Sequence, residues 1–181
     1  MTVSSLEEEL VAEVPNLRAF ARSLTQNQAS ADDLVQETVL KAWTKRDSYQ
    51  RGTNLRAWMF TILRNTFISS KRKIKREIED VDGSHAARLS QAPPQDAAME
   101  LADFRRAFAT LPDDQREALV LVGAAGFTYE EAAGICDCAV GTMKSRVNRA
   151  RNRLTELLGL PGEDIAKALP SEAASASGAP V

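Results

Sequence analysis

The sequence has almost none of the residues that build a catalytic or metal centre. Its 181 residues include one histidine, His85, and two cysteines, Cys136 and Cys138. A lone imidazole in a polar stretch makes the common nucleophile–base arrangements hard to assemble. Two thiols separated by one residue cannot staple a fold, and a metal site needs more ligands than they and one distant histidine supply. The cysteines read as small thiols in a turn, and no metal or other cofactor is expected. Apolar runs are short as well, and none approaches the roughly 20 residues that span a bilayer. The amino terminus carries Glu7, Glu8 and Glu9 where a secretory signal would carry cations. The protein is therefore expected in the cytoplasm, with no membrane partner.

What is abundant is charge, and its distribution matters more than its sum of −2. Between Arg51 and Arg76 stand eight cations (Arg51, Arg56, Arg64, Lys71, Arg72, Lys73, Lys75 and Arg76) and no acid. Between Gly141 and Arg153 stand five more (Lys144, Arg146, Arg149, Arg151 and Arg153), again with no acid. Two separated basic blocks in an otherwise acidic chain point to two contacts with one polyanion. A metal-dependent nuclease would need carboxylates clustered at a basic face, and the acids here avoid both blocks.

The apolar residues recur at helical spacing throughout. Leu10, Val14, Leu17, Ala21 and Leu24 predict a first helix with one buried stripe. Ser30 and Asp33 predict the capped start of a second, running towards Trp43 with Leu34, Val35, Val39 and Ala42 inward. Asp32, Asp33, Gln36 and Glu37 are left facing outward. A third helical region starts near Asn54 and carries Leu55, Trp58, Met59, Ile62 and Leu63. A break is expected at Asn65–Thr66 before the Lys71–Arg76 run. From Glu77 to Gln95 the periodicity dissolves into a polar, proline-containing linker. Fully extended, it reaches roughly 60 Å, the scale of two turns of DNA.

The second half opens with Leu101, Phe104, Phe108 and Leu111 on one face. Pro112, Asp113 and Asp114 suit the first turn of a further helix that stops around Gly123–Gly126. Thr128 and Glu131 form a capping box for a short helix, and Cys136–Asp137–Cys138 is a tight turn into a last helix, Val140 to about Leu158. Beyond Pro161 the chain is rich in Ala, Ser and Pro and is expected to fray. The short helix, turn and long helix fit a helix-turn-helix. On the last helix Val140, Met143, Val147, Ala150 and Leu154 fall within an arc of roughly 80°, while Lys144, Ser145, Asn148 and Arg149 occupy a separate arc of about 140°. Lysine and arginine reach phosphates or guanine edges, and asparagine pairs with adenine. In the first basic block, Trp58, Phe60 and Phe67 are interleaved with the cations, a mixture that can hold an unstacked strand. For Trp58 and Phe60 a place in the core is the stronger reading.

These residues carry a resemblance. Asp32-Asp33-Leu34-Val35-Gln36-Glu37-Thr38 followed by Trp43 resembles the second conserved region of bacterial sigma factors. Leu55-Arg56-Ala57-Trp58-Met59-Phe60-Thr61-Ile62-Leu63-Arg64-Asn65 is similar to their promoter-melting segment. Leu111-Pro112-Asp113-Asp114-Gln115-Arg116-Glu117 and Gly141-Thr142-Met143-Lys144-Ser145-Arg146-Val147-Asn148-Arg149-Ala150-Arg151 resemble the fourth region. The set covers about residues 6–160 and matches the extracytoplasmic-function (ECF, group 4) type. Phe-Ile-Ser-Ser-Lys-Arg-Lys at 67–73 and the Cys-Asp-Cys turn further resemble the EcfG-type general-stress subgroup.

The resemblance implies an all-α protein of two small helical domains: sigma domain 2 at 6–76 and a helix-turn-helix sigma domain 4 at 98–160. A flexible linker at 77–97 would join them and a disordered tail follow at 161–181. It implies a transcription initiation factor, not an enzyme, whose partners are core RNA polymerase and promoter DNA. Asp32, Asp33, Gln36 and Glu37 would dock on the clamp helices of the largest polymerase subunit, through a polar helix-on-helix contact. Arg56, Trp58, Arg64, Asn65, Ser69, Lys71 and Arg72 would serve the −10 element, and Thr142, Lys144, Ser145, Arg146, Asn148 and Arg149 the −35 element. Many relatives carry an aspartate and leucines where Ser69 and Ser70 stand, so the −10 preference does not transfer. The subgroup implies a further partner, an anti-sigma factor of the NepR type. The alternative is a sigma-like mimic that sequesters an anti-sigma factor without binding DNA; such mimics come fused to a receiver domain.

Overall fold

The computed structural model describes residues 5–79 and 96–159. Most of the expected linker, the tail from 161 and His85 lie outside the described residues. Those described are helical, with no strand among them, and the chain divides into two compact units, one on each side of residue 90.

The first unit contains α1 (Leu6–Ala12), α2 (Val14–Thr25), α3 (Gln28–Thr44) and α4 (Leu55–Glu79), with a short 3-10 turn at Arg46–Ser48. Ser5 and Glu8 close a reciprocal capping box at the start of α1. The stripe Leu10–Leu24 predicts one helix, and the structure divides it at Glu13. Pro15 has no N–H to return to Val11, but it suits the first turn of a new helix. The start of α3 also differs from expectation. Asn27, not Ser30, is the cap, its side-chain oxygen accepting from the Ser30 N–H at 3.0 Å.

The third helical region has no break. Asn54 caps it through the Ala57 N–H at 3.0 Å, and α4 runs through Asn65–Thr66 to Glu79. Thr66 faces inward and is buried, so a residue of low helix propensity is held by packing. Leu17, Phe20, Ala21, Leu24, Leu34, Val35, Ala42, Met59, Phe60 and Leu63 make the core. At its centre Phe20 stacks on Phe60, ring centroids 4.9 Å apart. Phe60 is therefore core rather than platform.

The second unit contains α5 (Asp96–Ala109), α6 (Asp113–Leu119), α7 (Tyr129–Cys136) and α8 (Val140–Leu158). Among the residues of α5 and its corner whose burial is described, Ala107 and Leu111 are buried, whereas Leu101 and Phe104 stay exposed. Phe104 stacks on Phe108 at the edge of the unit. The end of α6 widens into a π-helical turn, Val120–Ala124, which the Ala125 N–H closes onto the Val120 carbonyl at 2.8 Å. Gly126, at φ +74, then turns the chain so that Phe127 enters the core.

Candidate nucleic-acid interface and docking face

Three solvent-facing surfaces collect the residues expected to act. The first is on α3, which Ala31, Leu34, Val35, Thr38 and Ala42 bury against α2 and α4. The remaining residues of α3 form two rows. At about 100° per residue, Asp32, Gln36, Val39 and Trp43 share an arc of roughly 60°, and Asp33 and Glu37 lie farther round. The expected set of four is thus split into two i,i+4 pairs.

Asp32 and Gln36 line a surface groove of about 680 Å³ together with Val14, Arg18, Val35, Val39, Leu40 and Trp43. Arg18 Nε reaches Asp32 Oδ1 at 3.0 Å across it. Leu40 is 65% and Trp43 46% exposed, so large apolar side chains flank the acids. The face is therefore mixed, polar and apolar, and its apolar half was not read from the sequence. Glu37 takes the other direction. Its Oε1 receives Lys41 Nζ at 2.7 Å, and the same ammonium donates to Thr66 Oγ1 on α4 at 3.1 Å.

The second surface is α4. Trp58, Asn65, Ser69, Arg72 and Arg76 fall within an arc of roughly 60°, and the buried Thr66, Met59 and Leu63 lie about 80–140° round from Trp58. Asn65, Ser69 and Arg72 are exposed. Trp58 is half-buried and leans on Tyr49 at 5.2 Å, so one ring face is held by the fold. Arg64 and Lys71 lie on a flank beside Phe67, with the Lys71 ammonium 5.0 Å from that ring. Arg56 is not brought to the stripe. Its Nε is 3.5 Å from Glu13 at the α1–α2 junction, and its guanidinium lies over Phe60. That places it as a tie between α4 and α2.

The third surface is the helix-turn-helix. The Thr128–Glu131 capping box is present at α7. The turn is made by Asp137 in the left-handed region, φ 49, a conformation aspartate tolerates better than most residues. The N–H groups of Asp137 and Cys138 return to Gly134 and Ala133. Cys136 is buried and Cys138 half-buried, both as free thiols. Among the described residues no three His, Cys, Asp or Glu side chains gather to hold a metal ion.

On α8, Met143, Val147, Ala150 and Leu154 are buried, while Val140 is only half so. Thr142, Lys144, Asn148 and Arg149 are exposed and Ser145 is half-exposed. Lys144 Nζ rests 5.4 Å from the Tyr129 ring centroid. Arg149 borders a second, smaller groove with Gln115, Asn152 and Arg153. Arg146 points aside to α6, its Nε 3.2 Å from Asp114 Oδ2.

With this geometry in view, the comparisons are specific. Residues 10–77 match the family described as Sigma-70 region 2, and residues 101–154 match Sigma-70, region 4. The chain is 59% identical over 160 residues to the ECF RNA polymerase sigma factor EcfG of Rhodopseudomonas palustris, covering 88% of each chain. It is 34% identical over 142 residues to the ECF sigma factor SigM of Bacillus subtilis, covering 76% of this chain and 85% of that one. Among solved structures it is similar to the sigma factor RpoE of Bartonella quintana, crystallised with the anti-sigma factor NepR. That match has a TM-score of 0.78 at 53% identity, over 87% of this chain and 98% of that one.

Proposed function

The chain belongs to the extracytoplasmic-function group of RNA polymerase sigma factors: it directs core polymerase to promoters, and we propose how its residues divide that work. The unit at 6–76 docks on core polymerase and holds the −10 element, and the unit at 98–160 reads the −35 element. The α3 face, with Asp32 and Gln36 in the groove and Asp33 and Glu37 beside it, is the polymerase-docking surface. The Trp58–Asn65–Ser69–Arg72 stripe, flanked by Arg64 and Lys71, holds the separated strand. Thr142, Lys144, Ser145, Asn148 and Arg149 meet the upstream element.

The observation that carries this assignment is common to both matched regions. Each presents, clear of its buried stripe, a row of hydrogen-bond donors along one helix, most of them exposed. Base and phosphate recognition requires donors so placed.

We further infer a general-stress factor controlled by an anti-sigma factor of the NepR type. Its high identity over most of both chains to the EcfG factor and to the factor solved with NepR supports this. Sigma factors generally regulate transcription and are not enzymes, and we assign this chain no catalytic centre. Among the described residues no helix is long and apolar enough to cross a membrane, and a polymerase partner supports a cytoplasmic protein.

The test is to mix the purified chain with core polymerase and run off transcripts from genomic fragments. Discrete transcripts that require the chain are expected. A mimic would bind an anti-sigma factor yet neither associate with core nor yield transcripts, and that result would overturn the assignment.

A further inference from the structure

The resemblance groups Arg146 with the residues that would meet DNA, and in the structure its side chain turns to α6. Along α8 it lies roughly 60° beyond Arg149, at the edge of the buried arc. Its side chain is 23% exposed, against 50% for Asp114, and its Nε lies 3.2 Å from the Asp114 carboxylate. Asp114 sits on a rigid mount. Two residues on, Arg116 is buried, and its guanidinium donates to the Leu111 carbonyl at 2.9 Å and pairs with Asp113. The corner entering α6 is therefore closed by hydrogen bonds within its own unit.

Between α6 and α8 the contact is largely apolar, with Ala118 and Leu119 buried beside Glu117 on one side and Met143, Val147 and Ala150 on the other. Such a contact sets the distance between helices but constrains the roll of a helix about its axis only weakly, because small apolar residues repack at low cost. A charged hydrogen bond is directional. A roll of about 20° at side-chain radius displaces an arginine tip by on the order of 2 Å, enough to misalign a bidentate base contact.

We propose that Arg146 is a positioning residue: held by Asp114, it fixes the roll of α8 so that Ser145, Asn148 and Arg149 face the base edges. The Arg146 charge is directed at Asp114 and not at a phosphate. The inference rests on α8 being the helix that reads the upstream element.

The two roles predict opposite signs for one substitution. If Arg146 met a phosphate, Asp114→Asn would remove a competing acid and leave binding equal or tighter. If Arg146 positions α8, the same change loosens the helix and lowers discrimination. The assay uses core polymerase carrying the full chain, a promoter duplex selected from a random library by the wild-type holoenzyme, and the same duplex with its upstream element scrambled. Asp114→Asn and Arg146→Met should each reduce the preference for the intact element about tenfold, the worth of one well-aligned bidentate contact. The double variant should lose no more than the worse single one. Neither should change the slope of log affinity against log salt by the roughly one unit that a lost phosphate contact produces.

Tighter or unchanged binding by Asp114→Asn, additive losses, or a slope change of one unit for Arg146→Met would each overturn the proposal. Should a single variant lower the melting temperature, the exchanged pair Asp114→Arg with Arg146→Asp decides: restored preference supports the role, and preference left low refutes it. Failure of the underlying reading is separable, because Arg149→Ala would then leave the preference unchanged.

Discussion

Reversing two charges on α3, Asp33→Lys with Glu37→Lys, separates docking from folding. Asp33 is exposed, so its reversal costs the fold within about 0.5 kcal/mol. Glu37 carries more, because its ion pair with Lys41, at 49% and 40% exposure, becomes a like-charge pair at i,i+4. Losing one exposed pair and gaining one repulsion costs about 1 kcal/mol at most. For a domain of this size that lowers the melting temperature by about 4–8 °C and leaves the helices intact at 25 °C. At an interface the arithmetic differs. Two lysines facing a surface that accommodates carboxylates place like charges together, at several kcal/mol in total. A loss of about 3 kcal/mol is roughly a hundredfold in dissociation constant. Fluorescence anisotropy of labelled chain titrated with core polymerase reads the binding, and circular dichroism of the same sample reads the fold. An unchanged dissociation constant with an intact fold refutes the assignment of this face. Loss of helicity parallel to loss of binding refutes the claim that these residues are exposed for docking.

The other predictions address the core, a cap, the reading helix and control. Phe20→Ala removes half of the central stack with Phe60 and should destabilise the first unit by about 3–5 kcal/mol, read from the midpoint of urea denaturation. Thr128→Ala should cost about 1 kcal/mol by opening the capping box of α7, with a matching fall in upstream-element binding. Arg149→Ala should lower preference for the upstream element by about 1–3 kcal/mol, while Lys144→Ala should weaken all duplexes alike and flatten the salt slope by about one unit. An anti-sigma factor covering the α3 groove should compete with core polymerase, and Leu40→Ser with Trp43→Ala should weaken it without destabilising the fold, since both side chains are already exposed. Formation of a ternary complex at undiminished affinity would rule that exclusion out.

The parts of the fold that were legible in the sequence are those decided by neighbours within four residues. The Thr128–Glu131 box, the turn at Asp137 and the apolar arc of α8 follow from spacing alone, and each is found where the spacing put it. The split between α1 and α2 was also written locally, in Pro15, but the unbroken stripe from Leu10 to Leu24 concealed it. Periodicity records which face is buried and is blind to a kink that preserves that face. Asn65–Thr66 misled in the opposite way. Both residues have low helix propensity, yet Thr66 is buried against α3, where it receives the Lys41 ammonium. Tertiary contact overrode a weak local preference.

The candidate surfaces were legible as charge, but not as allocation of charge. Arg56, Arg64, Lys71, Arg72 and Arg146 look alike in a sequence, each a cation in an acid-free block. Two of them meet acids that lie far away along the chain, Glu13 for Arg56 and Asp114 for Arg146. The same ignorance of partners hid the groove on α3. Leu40 and Trp43 are ordinary apolar residues in a helix, and only the absence of a covering side chain makes them a surface. Spacing within one helix thus identifies the face that is free, and the opposing helix decides which members of that face remain available. On α8, Lys144, Ser145, Asn148 and Arg149 lie on the arc the helical wheel had set apart, whereas Arg146, grouped with them only by the resemblance, turns its side chain to Asp114 on α6.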